Sequence, residues 1–309
     1  MVQADRVNAR FSALIFAGTI LLFLPTWLWL ADAWLSDPYY SHGPLVLLVA
    51  LYFFWTQRKF ITESRAVISR ERSDREISFP ESNDEISRYA RNDRESNLSF
   101  LLVVVALAVH LWAIVWRAYY ISALMIPVAL LGLLVALYGW QIARRFLFPL
   151  AFLVLMVPVP LVERLGPVLE EWTATAATSF AQFIGVAARN EGSQVFLPNS
   201  TFTVGIPCGG LRSVIAIITL VTLWAYIVAG AWWARGIVLL AAIPIALAAN
   251  TLRLAILFAI ANTWGAQVGL DYFHSWSSPA LFLLAFALLL ALAKLVGASN
   301  VRWEVVAPS

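Results

Sequence analysis

The chain has 309 residues, of which 61% are hydrophobic and only 13% charged, with a mean hydropathy of +0.79. Soluble domains carry roughly 45–50% apolar and about 25% charged residues, so an ordinary soluble globule is excluded and an all-α, polytopic membrane helix bundle is expected. The net charge of +3 is no sign of nucleic acid, because Lys and Arg on a membrane protein mainly set its orientation.

A helix needs about 20 apolar residues to cross a bilayer core of roughly 30 Å. Eight stretches qualify or nearly do: 11–31, 43–57, 98–116, 119–139, 146–162, 211–229, 236–257 and 276–296. The second and fifth are short. The first resembles a signal peptide, with Ala31-Asp32-Ala33 as a cleavage site. Its apolar core exceeds the usual 7–15 residues, so it reads as an uncleaved anchor.

With the N-terminus in the cytoplasm, 16 Lys and Arg fall inside and five (Arg117, Arg164, Arg189, Arg212 and Arg253) fall outside or within the membrane. That bias puts both termini inside. Between the second and third stretches, 58–97 holds nine basic and nine acidic residues, with many Ser and Asn. Such a segment buries too little apolar surface to offset its ordering entropy, and a disordered cytoplasmic loop inserted in a single membrane domain spanning 1–309 is expected.

The outer segment 163–210 is different. Leu165, Val168, Leu169, Trp172, Ala176, Phe180 and Phe183 recur at helical spacing, which predicts an amphipathic helix on the membrane surface. Residues 194–206 then read as two short extended runs joined by a Pro198-Asn199-Ser200 turn. This hairpin delivers the chain to Pro207 and Cys208.

Cys208 is the one cysteine, so neither an internal disulfide nor a Cys-rich metal site is available. Pro207 before it and Gly209-Gly210 after it put the thiol at the start of a helix, whose dipole and unpaired N–H groups favour a thiolate. On position alone the residue is either a nucleophile or a small buried hydrophobe. Arg253 lies inside an apolar run with Asn250 three residues earlier on the same face. An arginine in a span marks a functional site by default, and the rival reading is snorkelling to the outer interface. His274 opens the eighth stretch and can take and return a proton; it is otherwise an interfacial histidine. Topology brings Cys208, Arg253 and His274 to the outer ends of consecutive spans. His110, mid-span, reads as a satisfied core histidine. Arg212, one turn beyond Cys208, holds the segment electropositive or meets lipid headgroups. There is no phosphate-cradling glycine loop, zincin helix or dinucleotide fingerprint, and neither a metal nor a cofactor is expected.

The segments Tyr39-Tyr40-Ser41-His42-Gly43-Pro44-Leu45-Val46, Cys208-Gly209-Gly210-Leu211-Arg212-Ser213 and Asn250-Thr251-Leu252-Arg253, with His274, resemble the exosortase/archaeosortase family. The resemblance runs from the first stretch to the eighth, apart from 58–97. It implies a membrane cysteine transpeptidase of the inner membrane with its active site facing the periplasm. The implied substrates are exported proteins bearing a C-terminal Pro-Glu-Pro-type motif, a hydrophobic helix and a basic tail. Beyond these substrates the expected surroundings are membrane lipid, with no nucleic acid. On this resemblance Cys208, Arg253 and His274 are catalytic, and His42, Gly209, Arg212 and Asn250 bind substrate or support them. Family members more often have Ser or Ala where Gly209 stands, and the long charged loop is not typical. A multi-pass transporter and a non-catalytic component of envelope polysaccharide export are the other readings open to such a chain.

Overall fold

The computed structural model describes residues 2–58, 83–205 and 210–306, with side chains described except at 2–11, 83–96, 161–163, 272–275 and 278. It is predominantly helical and separates into two compact units. One comprises Met1–Ser36, His42–Pro158 and Val306–Ser309; the other Asp37–Ser41 and Val159–Val305.

The first unit holds α1 (Val2–Leu22), α2 (Leu24–Ser36), α3 (43–58), α4 (Asn83–Val115) and α5 (Tyr119–Tyr138). The expected single helix over 11–31 is instead a pair bent by 60°. Pro25 is the cause: it has no N–H to donate, and its ring crowds the carbonyl of Leu21. The Leu22 carbonyl at the break accepts a bond from His110 Nε2 at 3.1 Å. His110 Nδ1 in turn accepts from Ser122 Oγ at 2.6 Å, and Ser122 Oγ lies 2.5 Å from Thr26 Oγ1. All three side chains are buried. This closed network makes His110 the structural histidine expected of it.

α4 and α5 form a tight antiparallel pair. Gly132 permits the approach, because a Cβ there would come within 2.7 Å of Val103; small residues at such contacts are how membrane helices gain dispersion energy. The expected disorder over 58–97 needs correcting at its far end. α4 reaches back to Asn83, and 59–82 lie outside the described residues. Poor core-forming composition does not prevent a helix from propagating off an existing span, where each residue fixed adds a hydrogen bond.

The fifth predicted span, 146–162, is not a continuous helix. After α6 (Trp140–Ala143), it is divided among the end of a 3₁₀ turn at Arg144–Phe146, α7 (Leu147–Phe152), a second 3₁₀ turn at Leu153–Met156 and the start of the helix that begins at Pro160. Pro158 and Pro160 follow, and neither can donate an i→i−4 bond. Hydropathy alone overlooked them.

The second unit opens with α8 (Pro160–Phe183), started by a proline at its first position. Its buried face is small: Thr173, Ala174, Ala177, Thr178 and Ala181. The large apolar positions Leu165, Val168, Trp172, Phe180 and Phe183 face outward at 41–86% exposure, which suits a helix lying at a membrane interface. The predicted hairpin is present as β2 (Gln194–Leu197) and β3 (Ser200–Thr203), with Leu197 opposite Ser200. A third antiparallel strand, β1 (Arg189–Glu191), flanks β2.

α9 (Leu211–Ile227), α10 (Trp232–Trp264), the single turn α11 (Ala266–Val268) and α12 (Ser275–Leu295) complete the unit, with a π-helical segment at Gly269–His274 before α12. The chain ends in a two-residue ladder, β4 (Val228–Ala229) with β5 (Asn300–Val301), and a short α13 (Trp303–Val306). α10 runs past the predicted end at 257 because its last turns are covered by protein. Leu254, Leu257, Phe258 and Ala261 pack under Val195, Leu197, Phe202 and Val204 of the sheet, with the Phe202 and Phe258 rings 5.7 Å apart.

Three described helical stretches, Asn97–Val115, Tyr119–Tyr138 and Trp232–Trp264, are long and apolar enough to cross a membrane, four if the bent pair counts as one span. Leu211–Ile227 and Pro279–Leu295 are shorter apolar helices, so the expected eight spans are not reached at that length.

Candidate active site

Two of the predicted site residues are brought together on α10. Asn250 and Arg253, three residues apart, are both 5% exposed. They form the polar side of a small open pocket, with a cavity volume of about 20 Å³. Ser213 of α9 adds a hydroxyl, and Ile217, Ala246, Leu281 and Phe282 supply apolar walls. Arg253 stands eleven residues before the end of α10, about 16 Å at 1.5 Å per residue, because the helix runs on past the predicted end at 257. Enclosure by α9, α10 and α12 is a different state from a side chain snorkelling to a membrane surface.

The same stretch of α10 meets the start of α9. Gly210 has φ +82, the left-handed region that costs any L side chain strain. A Cβ there would also fall 2.8 Å from Asn250 Nδ2. Glycine is thus required twice, for its backbone and for the amide packed against it. Gly210 then accepts the Val214 N–H at 2.9 Å to begin the helix. Cys208 and Gly209, two and one residues earlier, lie outside the described residues.

His274 is the last residue of the π-helical segment, and its side chain lies outside those described. The segment packs on α10 just beyond Arg253: Gly269 sits where a Cβ would be 3.1 Å from Leu257 and 3.6 Å from Ala261. Single π-turns of this kind are frequent at functional sites.

Arg212 is exposed and donates to Ser41 Oγ at 3.4 Å, which ties the Tyr39-Tyr40-Ser41 segment to the first turn of α9. Tyr40 is buried, donates its hydroxyl to the Val159 carbonyl at 3.1 Å and accepts the Val159 N–H at 3.1 Å. Tyr39 takes its place through an Asp37 turn, its N–H donating to Oδ1 at 2.8 Å. Burial, then the carboxylates of Glu170 and Asp37, push the Tyr39 phenol above its ordinary value. Burial likewise raises Glu170. His42 does not belong to this unit. Its Nε2 donates to the Leu155 carbonyl at 3.1 Å, beside Trp34 Nε1 on Met156 at 2.9 Å, and a Cβ at Gly43 would collide with the same indole.

Sequence reasoning passed over Ser213, Tyr39, Ser41 and Glu170. Ser213 and the tyrosines stand inside the very motifs that carried Cys208 and His42. Glu170 reads only as part of a Glu170-Glu171 pair too isolated for an acid–base claim, and nothing in its neighbours places it near Tyr39. Among the described residues no group of three His, Cys, Asp or Glu is placed to hold a metal ion.

The start of α9, the Asn250–Arg253 turn of α10 and the π-helical turn before α12 thus gather in one helical unit of a membrane protein. A model of the transmembrane exosortase family matches residues 34–291, most of the chain, and the chain belongs to that family. No curated protein and no solved structure matches it significantly.

Proposed function

We propose that this exosortase-family protein is a membrane cysteine transpeptidase that processes the C-terminal sorting signals of exported proteins. The observation that carries the reading is the contact of Gly210 with Asn250, one turn from the buried Arg253. In this reading Cys208, two residues before Gly210 in the sequence, acts at the pocket that Arg253 lines.

The chemistry follows from the residue types. The Cys208 thiol gives its proton to the His274 imidazole, and sulfur attacks the scissile carbonyl carbon. The tetrahedral oxyanion is stabilised by the Arg253 guanidinium. The C–N bond breaks, the imidazolium proton passes to the leaving amine, and the upstream part remains as a thioester. An acceptor amine or hydroxyl then attacks the thioester, giving its proton to the neutral His274 imidazole, which returns it to the leaving Cys208 sulfur; water in its place gives hydrolysis. Asn250 and Gly210 hold the start of α9 against α10, and Arg212 anchors the Tyr39–Ser41 segment beside it.

Orientation has support from helix lengths. Eighteen residues of α10, about 27 Å, separate Arg235 from Arg253, and twenty residues, about 30 Å, separate His274 from Lys294. Arg235, Lys294 and Arg302 lie at one end of this unit and the pocket at the other. Within this unit Arg164, Arg189 and Arg212 offset those three, and it is the bias of the whole chain, 16 Lys and Arg against five, that by the positive-inside rule makes that end cytoplasmic and turns the pocket toward the periplasm of an inner membrane.

The test is processing of a tagged substrate carrying the tripartite signal, co-expressed with Cys208→Ala and, separately, Cys208→Ser. Both variants are expected to leave the precursor uncut. Cleavage by Cys208→Ala at the wild-type rate would refute the assignment. Mass spectrometry of a trapped thioester peptide identifies the cut.

A further inference from the structure

The end of the second unit farthest from the pocket carries a feature that the proposed chemistry does not use. α9 finishes there with three carbonyls that have no partner further along the helix. Each is taken from outside it. Arg235 Nη1 donates to the Ala225 carbonyl at 3.4 Å, Arg302 Nη2 to that of Tyr226, and the Arg302 backbone N–H to that of Ile227 at 2.8 Å. The Arg302 guanidinium also lies over the Tyr226 ring, 5.7 Å from its centroid.

Two guanidinium groups therefore converge on successive carbonyls of one helix end. Each has five N–H donors and gives only one side-chain bond there. The Nε of both is buried with no acceptor. Neither has a carboxylate partner among the described residues. Lys294, in the last turn of α12, adds a third cation at the same end. That end of α12 is held to the α9–α10 turn by the β4–β5 ladder and by Gly230, where a Cβ would be 3.1 Å from Ala298. Glu304 is the one acidic residue in 225–240 and 290–306, so three cations face one carboxylate. Adjacent cations with no counter-charge repel one another; both guanidiniums are half-buried, and an anion with several oxygens that meets their remaining Nη donors relieves that repulsion.

The surroundings say where that anion sits. Trp232 and Trp233 open α10 and Trp303 opens α13, at 81%, 50% and 69% exposure. Exposed indoles at the ends of apolar helices mark the depth of lipid headgroups. A planar guanidinium fork matches phosphate oxygens. We infer that Arg235 and Arg302, helped by Lys294, bind the headgroup phosphate of an anionic phospholipid at the face of the membrane opposite the pocket.

The experiment uses the full-length protein in detergent, mixed with phosphatidylglycerol, phosphatidylcholine or inorganic phosphate, read by native mass spectrometry for retained lipid and by thermal melting. Phosphatidylglycerol is expected to be retained over phosphatidylcholine and to raise Tm by about 5 °C. Arg→Gln keeps a donor for the α9 carbonyls and removes the charge. The double variant Arg235→Gln/Arg302→Gln is expected to lose the preference, about fivefold in retention for each cation removed. Arg235→Lys/Arg302→Lys is expected to keep most of it. Should the double Gln variant not be recovered folded, Arg235→Gln alone decides, by a loss of about fivefold. The inference is overturned if the double Gln variant, or Arg235→Gln in its place, retains phosphatidylglycerol like wild type. Equal retention of phosphatidylcholine overturns it too, and so does a Tm shift reproduced by inorganic phosphate alone.

Discussion

His110 and Arg253 are both buried polar side chains in apolar helices, yet their surroundings differ in kind. The histidine closes a chain of hydrogen bonds, Thr26 to Ser122 to His110 to the Leu22 carbonyl, with ring contact from Phe23 at 4.1 Å. The bonds run inward, and they mend the backbone broken at Pro25. The arginine, with Asn250 and Ser213, borders an open pocket. A polar group in a membrane segment is costly wherever it stands. What separates the two is that one polar group closes a network inside the protein while the other stands at an opening to its surface.

Substitutions at five positions sharpen that contrast. The largest effect is expected for Arg253→Gln: processing of the tagged precursor falls about 10²–10³-fold, as for loss of an oxyanion donor, while the detergent-solubilised protein melts close to wild type. A collapse in Tm instead would return Arg253 to a structural role. His110→Leu should do the opposite. The Leu22 carbonyl loses its side-chain donor and Ser122 the acceptor for its proton, stability drops by about 1–3 kcal/mol, and the folded fraction cleaves at the normal rate. Gly210→Ala bridges the two cases. Its left-handed φ costs about 1–2 kcal/mol, and the methyl displaces Asn250, so both Tm and cleavage rate fall; Asn250→Ala in the same chain is expected to recover part of the rate.

The smallest effect concerns Glu170. Its carboxyl is raised by burial, so the fold binds a proton that the unfolded chain has released. Stability must then fall as pH rises from the ordinary carboxylate value through the raised one. Glu170→Gln should flatten that slope in melts taken across mildly acidic pH, and an unchanged slope would remove Glu170 from the account.

Much of this was legible in the sequence because apolar length and turn chemistry are local properties. The spans at 43–57, 119–139, 211–229 and 276–296 lie within two residues of their helices. Pro198-Asn199-Ser200 marked the hairpin. What escaped depended on distant partners or on residues that counting hydropathy ignores. Pro25 broke one span, and Pro158 and Pro160 stopped another. α10 outran its hydropathy because a sheet 50 residues upstream covers it, and the polar strand Arg189–Glu191 has no alternation to reveal it. At the site, Asn250 and Arg253 could be picked out as one helical face. The packing of Asn250 on Gly210, forty positions away, and the approach of Glu170 to Tyr39 are products of the fold.

The length of α10 sets a ruler. Its 33 residues extend about 50 Å, well beyond a hydrocarbon core of roughly 30 Å. Measured from Trp232, Arg253 is reached after about 32 Å, where the acyl chains give way to headgroups. Lipids with longer tails would submerge the guanidinium, so turnover in reconstituted vesicles should decline as acyl length increases, with no residue of the protein altered.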